Sequence, residues 1–80
     1  MPTKSGAYVR EKRLAPGLSL RALAKLLAIS HSDVSRWETG ARMMPRWVVI
    51  AIGWALALSD EERVELRRLW DLDMDAREAK

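Results

Sequence analysis

Apolar positions fall into short helical periods separated by clear breaks. Leu20, Leu23, Ala24 and Leu27 recur at i, i+3, i+4 and i+7, one face of a helix. Ser19 precedes them as a natural N-cap. The period breaks at Ala28-Ile29. Ser30 is a second N-cap, with Asp33 three residues later as an acidic variant of the capping box. Val34 and Trp37 then form an apolar edge, and Gly40 offers a helix stop. The pattern predicts two helices of about eight residues on a turn of three or four.

The flanks extend the same alphabet. Pro16-Gly17 is a strong break. Before it, about Ala7 to Leu14, Val9 and Leu14 stand among Arg10, Glu11, Lys12 and Arg13, a short, highly charged helix. Ala41 to Met44 reads as a loop, and Pro45 suits the first position of a fourth helix that runs to Leu58, apolar almost all round. Ser59-Asp60-Glu61-Glu62 is a capping box and opens a fifth helix, with Leu66, Leu69 and Trp70 as its apolar face. Asp71 to Lys80 is charged and expected to fray. With no β-alternation and no repeat, the expected fold is all-α, a compact bundle of five short helices. It forms a single domain over 1–80, with 45–72 as core and dimer region and 73–80 as a charged tail.

At 80 residues, 49% apolar and 31% charged, the chain has room for one core. The absence of cysteine excludes disulfides, thiolate metal sites and a cysteine nucleophile, and one histidine argues against a histidine metal cluster. No Gly-rich phosphate loop is present, so no enzyme, cofactor or metal is expected. Met1 to Gly6 lacks an apolar signal core. The longest apolar run, Trp47 to Leu58, falls short of the ~20 residues that span a bilayer. A cytoplasmic protein without membrane contact is expected. Charge is divided: residues 1–58 carry nine Lys/Arg against three acids, residues 59–80 five against eight. The basic front suits a polyanion.

Leu18 to Gly40 reads LSLRALAKLLAISHSDVSRWETG. It resembles the helix-turn-helix of the lambda-type repressor and Cro (XRE-like) family of regulators. Ser19, Leu23, Ala24, Ile29, Ser30, Val34, Ser35, Glu38 and Gly40 stand at matching or conservatively replaced positions. Val9, Arg13 and Gly17 match upstream and Pro45-Arg46-Trp47 downstream, so the resemblance covers most of residues 8–58 without a gap. The spacing also makes physical sense. Small Ala24 lets the second motif helix approach, while Leu23, Ile29 and Val34 fill the angle between the two. The opposite face, with His31, Ser32, Ser35 and Arg36, is left to enter a DNA major groove. Arg36 can give a bidentate pair to guanine O6 and N7.

Phosphate clamps are expected at Arg10, Ser19, Arg21, Thr39, Arg42 and Arg46, which fix register without reading sequence. The resemblance implies minor-groove reach for Arg46 and a structural salt bridge between Arg13 and Glu38. Asp33 would repel phosphate; a capping role suits it, with acceptance from cytosine N4 as the other option. Two positions depart from the family pattern. Leu20 replaces a glutamine that contacts phosphate, and Ala28 replaces the turn glycine, costing about 1 kcal/mol if that backbone needs positive φ.

Trp47 and Trp54 share a stripe seven residues apart, and Trp favours interfaces. A homodimer built from the last two helices, using some of Trp54, Leu58, Leu66, Leu69 and Trp70, is expected. The resemblance implies a repressor that binds an inverted-repeat operator in double-stranded DNA, of a kind common in phages and mobile elements and often autoregulatory. The alternative is a protein-interaction module, an antitoxin or adaptor, whose apolar helical surface binds another protein.

Overall fold

The computed structural model describes residues 2–78. Five helices follow in order: α1 (Lys4–Leu14), α2 (Leu20–Leu27), α3 (His31–Thr39), α4 (Arg46–Ala55) and α5 (Asp60–Glu78). No strand occurs among the described residues, and no helix there is long and apolar enough to cross a membrane. α2 packs on α3 and α4, while α5 lies along α1 and α4. Val9, Leu23, Val34, Val48, Ile52 and Leu66 form the center of one core.

The four short helices share one mode of ending. Gly17, Ala28, Gly40 and Ala57 all adopt positive φ. After α2, the Ala28 N–H donates to Lys25 O and the Ile29 N–H to Ala24 O; after α4, Ala57 and Leu58 do the same with Trp54 and Gly53. These paired bonds satisfy carbonyls at the helix end that would otherwise be orphaned. They also return the next apolar residue to the core, Ile29 in the first case and Leu58 in the second. The fourth helix therefore stops at Ala55 rather than Leu58. Pro45 is its N-cap rather than its first residue, so the helix starts one position later than expected, at Arg46.

The starts are capped as their sequences require. The Ser19 and Ser30 hydroxyls accept from the Ala22 and Ser32 N–H. Ser59 and Glu62 close a reciprocal capping box, each side chain accepting from the other's N–H at 3.1 and 2.9 Å.

Both outer helices exceed expectation. α1 begins at Lys4, with Thr3 as N-cap accepting from the Gly6 N–H. α5 continues as helix to Glu78, so the expected fraying from Asp71 is not observed; Ala79 and Lys80 lie outside the described residues. One residue explains both. Asp73 is buried and accepts from Lys4 N (3.0 Å), Ser5 N (2.8 Å) and Ser5 Oγ (2.6 Å). A carboxylate on α5 thus satisfies orphan N–H groups of α1 and complements the positive end of that helix's dipole.

α1 is also locked to α3. Arg13 and Glu38, both buried, form a bidentate pair, Nε to Oε2 at 2.7 Å and Nη2 to Oε1 at 2.9 Å. The third nitrogen of Arg13 donates to Leu18 O at 2.7 Å, so every nitrogen of the fork has a partner. Hydrogen bonding to Glu38 raises the Arg13 pKa, against burial, which lowers it.

Candidate nucleic-acid interface

The division of α3 sets the site. Val34, Trp37 and Glu38 are buried against α1 and α2. His31 and Arg36 are exposed on the remaining face, with Ser32 and Ser35 half-buried beside them. None of the four is part of the core cluster.

Basic side chains flank this face. On one side Arg21 and Lys25 line a shallow hollow with Ser30 and His31. On another, Arg10 lines an open cleft of about 540 Å³ between α1 and α3, together with Leu20, Ser35 and Thr39. Leu20 fills the place of the expected family glutamine with apolar surface, so a phosphate there meets no side-chain donor from that position. Ser19 is exposed with its hydroxyl committed to the α2 cap. At the end of α3 and after it, Thr39, Arg42 and Arg46 are all exposed. The loop that carries Arg42 is pinned to α3: Arg36 O accepts from the Arg42 N–H at 3.2 Å, and also from Thr39 Oγ1 within the helix at 3.3 Å.

Asp33 does not close the capping box expected of it. Its Oδ1 lies 3.4 Å from Arg36 Nη1 and 3.5 Å from Arg42 Nη1. The carboxylate thus faces two guanidinium groups rather than the N–H at the helix start. This contact was not legible from local pattern, because Arg42 lies in the loop beyond α3.

Residues 6–66 match the family model of a helix-turn-helix domain. The chain belongs to the XRE-like helix-turn-helix regulators. The family is one of DNA-binding transcription regulators. Among solved structures, this helix-turn-helix chain is similar to the restriction-modification controller protein C.AhdI from Aeromonas hydrophila. The two share 33% identity over 76% of this chain and 92% of the other, with a TM-score of 0.70. Comparison with curated proteins gives no match.

The surface away from α3 corrects one expectation. Leu58 and Leu66, expected at a dimer interface, are 6% and 1% exposed. They belong to the monomer core, because the turn at Ala57 swings Leu58 inward and Leu66 is fully packed. Trp70 is half-buried, with Nε1 donating to Met44 O at 2.8 Å, and Leu69 is half-buried too. Trp54 is 70% exposed and lies under the Arg63 guanidinium, 4.5 Å from the ring centroid. Trp47 and Ile50 continue this exposed stripe along α4.

Proposed function

We propose that this helix-turn-helix protein is a sequence-specific reader of double-stranded DNA, a homodimeric repressor acting on an inverted repeat. The observation that carries the reading is the two-sidedness of α3: its apolar edge and Glu38 are consumed by the fold, and His31, Ser32, Ser35 and Arg36 are left outward. An α-helix about 10–12 Å across with its side chains fits a major groove about 12 Å wide. Arg36 pairs with guanine, His31 and Ser32 read from the helix start, and Ser35 reaches a base or a phosphate. Arg10, Ser19 and Arg21 on one side, and Thr39 and Arg46 on the other, hold the phosphates, while Arg42 in the same loop is engaged by Asp33.

The exposed Trp47, Ile50 and Trp54 stripe supports association with a second copy. Arg63 and Arg67 of α5 border it. A two-fold dimer puts two reading helices one DNA turn apart, about 34 Å. The likeness to a restriction-modification controller protein supports a regulatory role. The same stripe is what favours the second reading, a module that binds another protein.

Selection of bound duplexes from a random pool tests the proposal, with Arg36→Ala in parallel. An inverted repeat is expected, relaxed at one position per half-site in the variant. Salt-sensitive binding without an enriched motif refutes base readout and favours the protein-partner reading. Sedimentation as a monomer at tens of micromolar, free and on DNA, refutes the dimer.

A further inference from the structure

Asp33 is an acid on a face otherwise built to meet a polyanion. Residues 1–58 contain only two other acids, and one of them, Glu38, is buried in its pair with Arg13. Asp33 is instead partly exposed and touches two cations. Its Oδ1 holds Arg36 Nη1, one turn further along α3, and Arg42 Nη1 from the loop. Arg42 is anchored at its backbone by the Arg36 carbonyl and at its side chain by Asp33. The three residues form one cluster that bridges helix and loop.

We propose that Asp33 is a specificity-determining residue of the reading helix: it positions Arg36 for guanine and itself selects an amine-bearing neighbour base. The proposal rests on the DNA-reading function above. A guanidinium has five N–H donors in a planar fork. Binding one Nη1 to Asp33 leaves donors for guanine O6 and N7 and removes rotamers that Arg36 would otherwise lose on docking. Oδ2 makes no hydrogen bond among the described residues. An ionised carboxylate only accepts. On the major-groove edge it is satisfied by cytosine N4 or adenine N6 and repelled by guanine O6 and N7 and by thymine O4. Asp33 also draws Arg42 away from phosphate, which weakens binding to every sequence alike. Discrimination here comes as much from repulsion of wrong partners as from attraction of the right one.

Duplex selection with the unaltered chain, Asp33→Ala and Asp33→Asn tests this, together with anisotropy titrations on the selected and a scrambled duplex at several salt concentrations. In Asp33→Ala, guanine preference at the Arg36 position is expected to fall about tenfold, within the range of one bidentate contact. Preference for an amine-bearing base at a neighbouring pair is expected to vanish. The scrambled duplex is expected to bind several-fold tighter, with a salt slope steeper by about 0.9 as Arg42 gains a phosphate. Asp33→Asn keeps the shape and one acceptor, and is expected to fall between the two. A residue serving only the start of α3 would change thermal stability and leave the motif intact. An unchanged motif in Asp33→Ala overturns the inference, whatever happens to affinity. If Asp33→Ala does not fold, an unchanged motif in Asp33→Asn with an unchanged salt slope overturns it. Absence of any motif with the unaltered chain overturns the DNA-reading function and this inference with it.

Discussion

Replacing Asp73 with alanine removes the acceptor that joins the two ends of the described chain. Ser5 is fully buried, so its N–H and hydroxyl, now bonded to Asp73 at 2.8 and 2.6 Å, would face no water. Each buried group left without a partner costs about 1–3 kcal/mol. The Lys4 N–H is less enclosed and can rehydrate, so it adds little. Removing the carboxylate also recovers its own desolvation, which trims the total to about 2–4 kcal/mol. An 80-residue domain has roughly 4–12 kcal/mol of stability in all. At about 4–8 °C per kcal/mol the expected fall in Tm is roughly 10–30 °C. Thermal unfolding followed by circular dichroism measures it, and Asp73→Asn, which keeps an acceptor, should lose less. A cycle with Ser5→Ala should show a coupling above about 1 kcal/mol. A Tm within about 3 °C of the unaltered protein, or additive effects in the cycle, refutes the clamp.

Three further outcomes are expected. Gly6→Ala should destabilise by about 1–3 kcal/mol, because a Cβ there meets the Trp37 carbonyl oxygen and lies 2.8 Å from that of Glu38, and backbone atoms cannot turn aside; chemical denaturation checks it. Ala28→Gly should stabilise by up to about 1 kcal/mol, since Ala28 sits at φ 56°, less the entropy that glycine adds to the unfolded chain. The Glu62 carboxyl is held at about 2, below its ordinary 4.5, by the Lys12 ammonium and the Ser59 N–H. Because the folded value is the lower one, this contribution is complete above pH 4.5 and is lost as the pH falls toward 2. The Tm gap between the unaltered protein and Glu62→Gln should therefore narrow over that window; a gap independent of pH contradicts the assignment.

Much of this architecture was readable from local pattern because local physics decides it. The apolar period of Leu20 to Leu27 is the core face of α2, and Ser19, Ser30 and Ser59 cap where their spacing indicates. The outward face of α3 followed from knowing where Val34 and Trp37 must go. The contact that local pattern could least reveal is long-range. Asp73 lies among acids that read as a solvated tail, and its partners are 68 and 69 residues away. It also lies outside the family match at 6–66, so resemblance offered no help.

Leu58, expected on a dimer surface, lies in the monomer core for a different reason. α4 is apolar all round, so its sequence does not say which side meets α5. The choice is made by the turn at Ala57, which buries Leu58 and leaves Trp47, Ile50 and Trp54 outward. Gly53 completes it, because the Arg63 side chain packs where a Cβ would stand, bringing that guanidinium over Trp54. Arg63 also donates to Leu58 O at 2.7 Å, which ties the α4 exit to α5. The exposed indole thus packs against a guanidinium that is itself tied to the α4 exit. A rigid aromatic anchor loses little conformational freedom on contact, which is what a small self-associating surface requires. Replacing Arg63 with alanine should weaken self-association as well as stability. Replacing Trp54 with glutamate should abolish self-association and leave the monomer Tm nearly unchanged, since the ring contributes little to the core. Sedimentation and thermal unfolding of the two variants separate these effects. A Trp54→Glu protein that still sediments as a dimer would move the interface off α4.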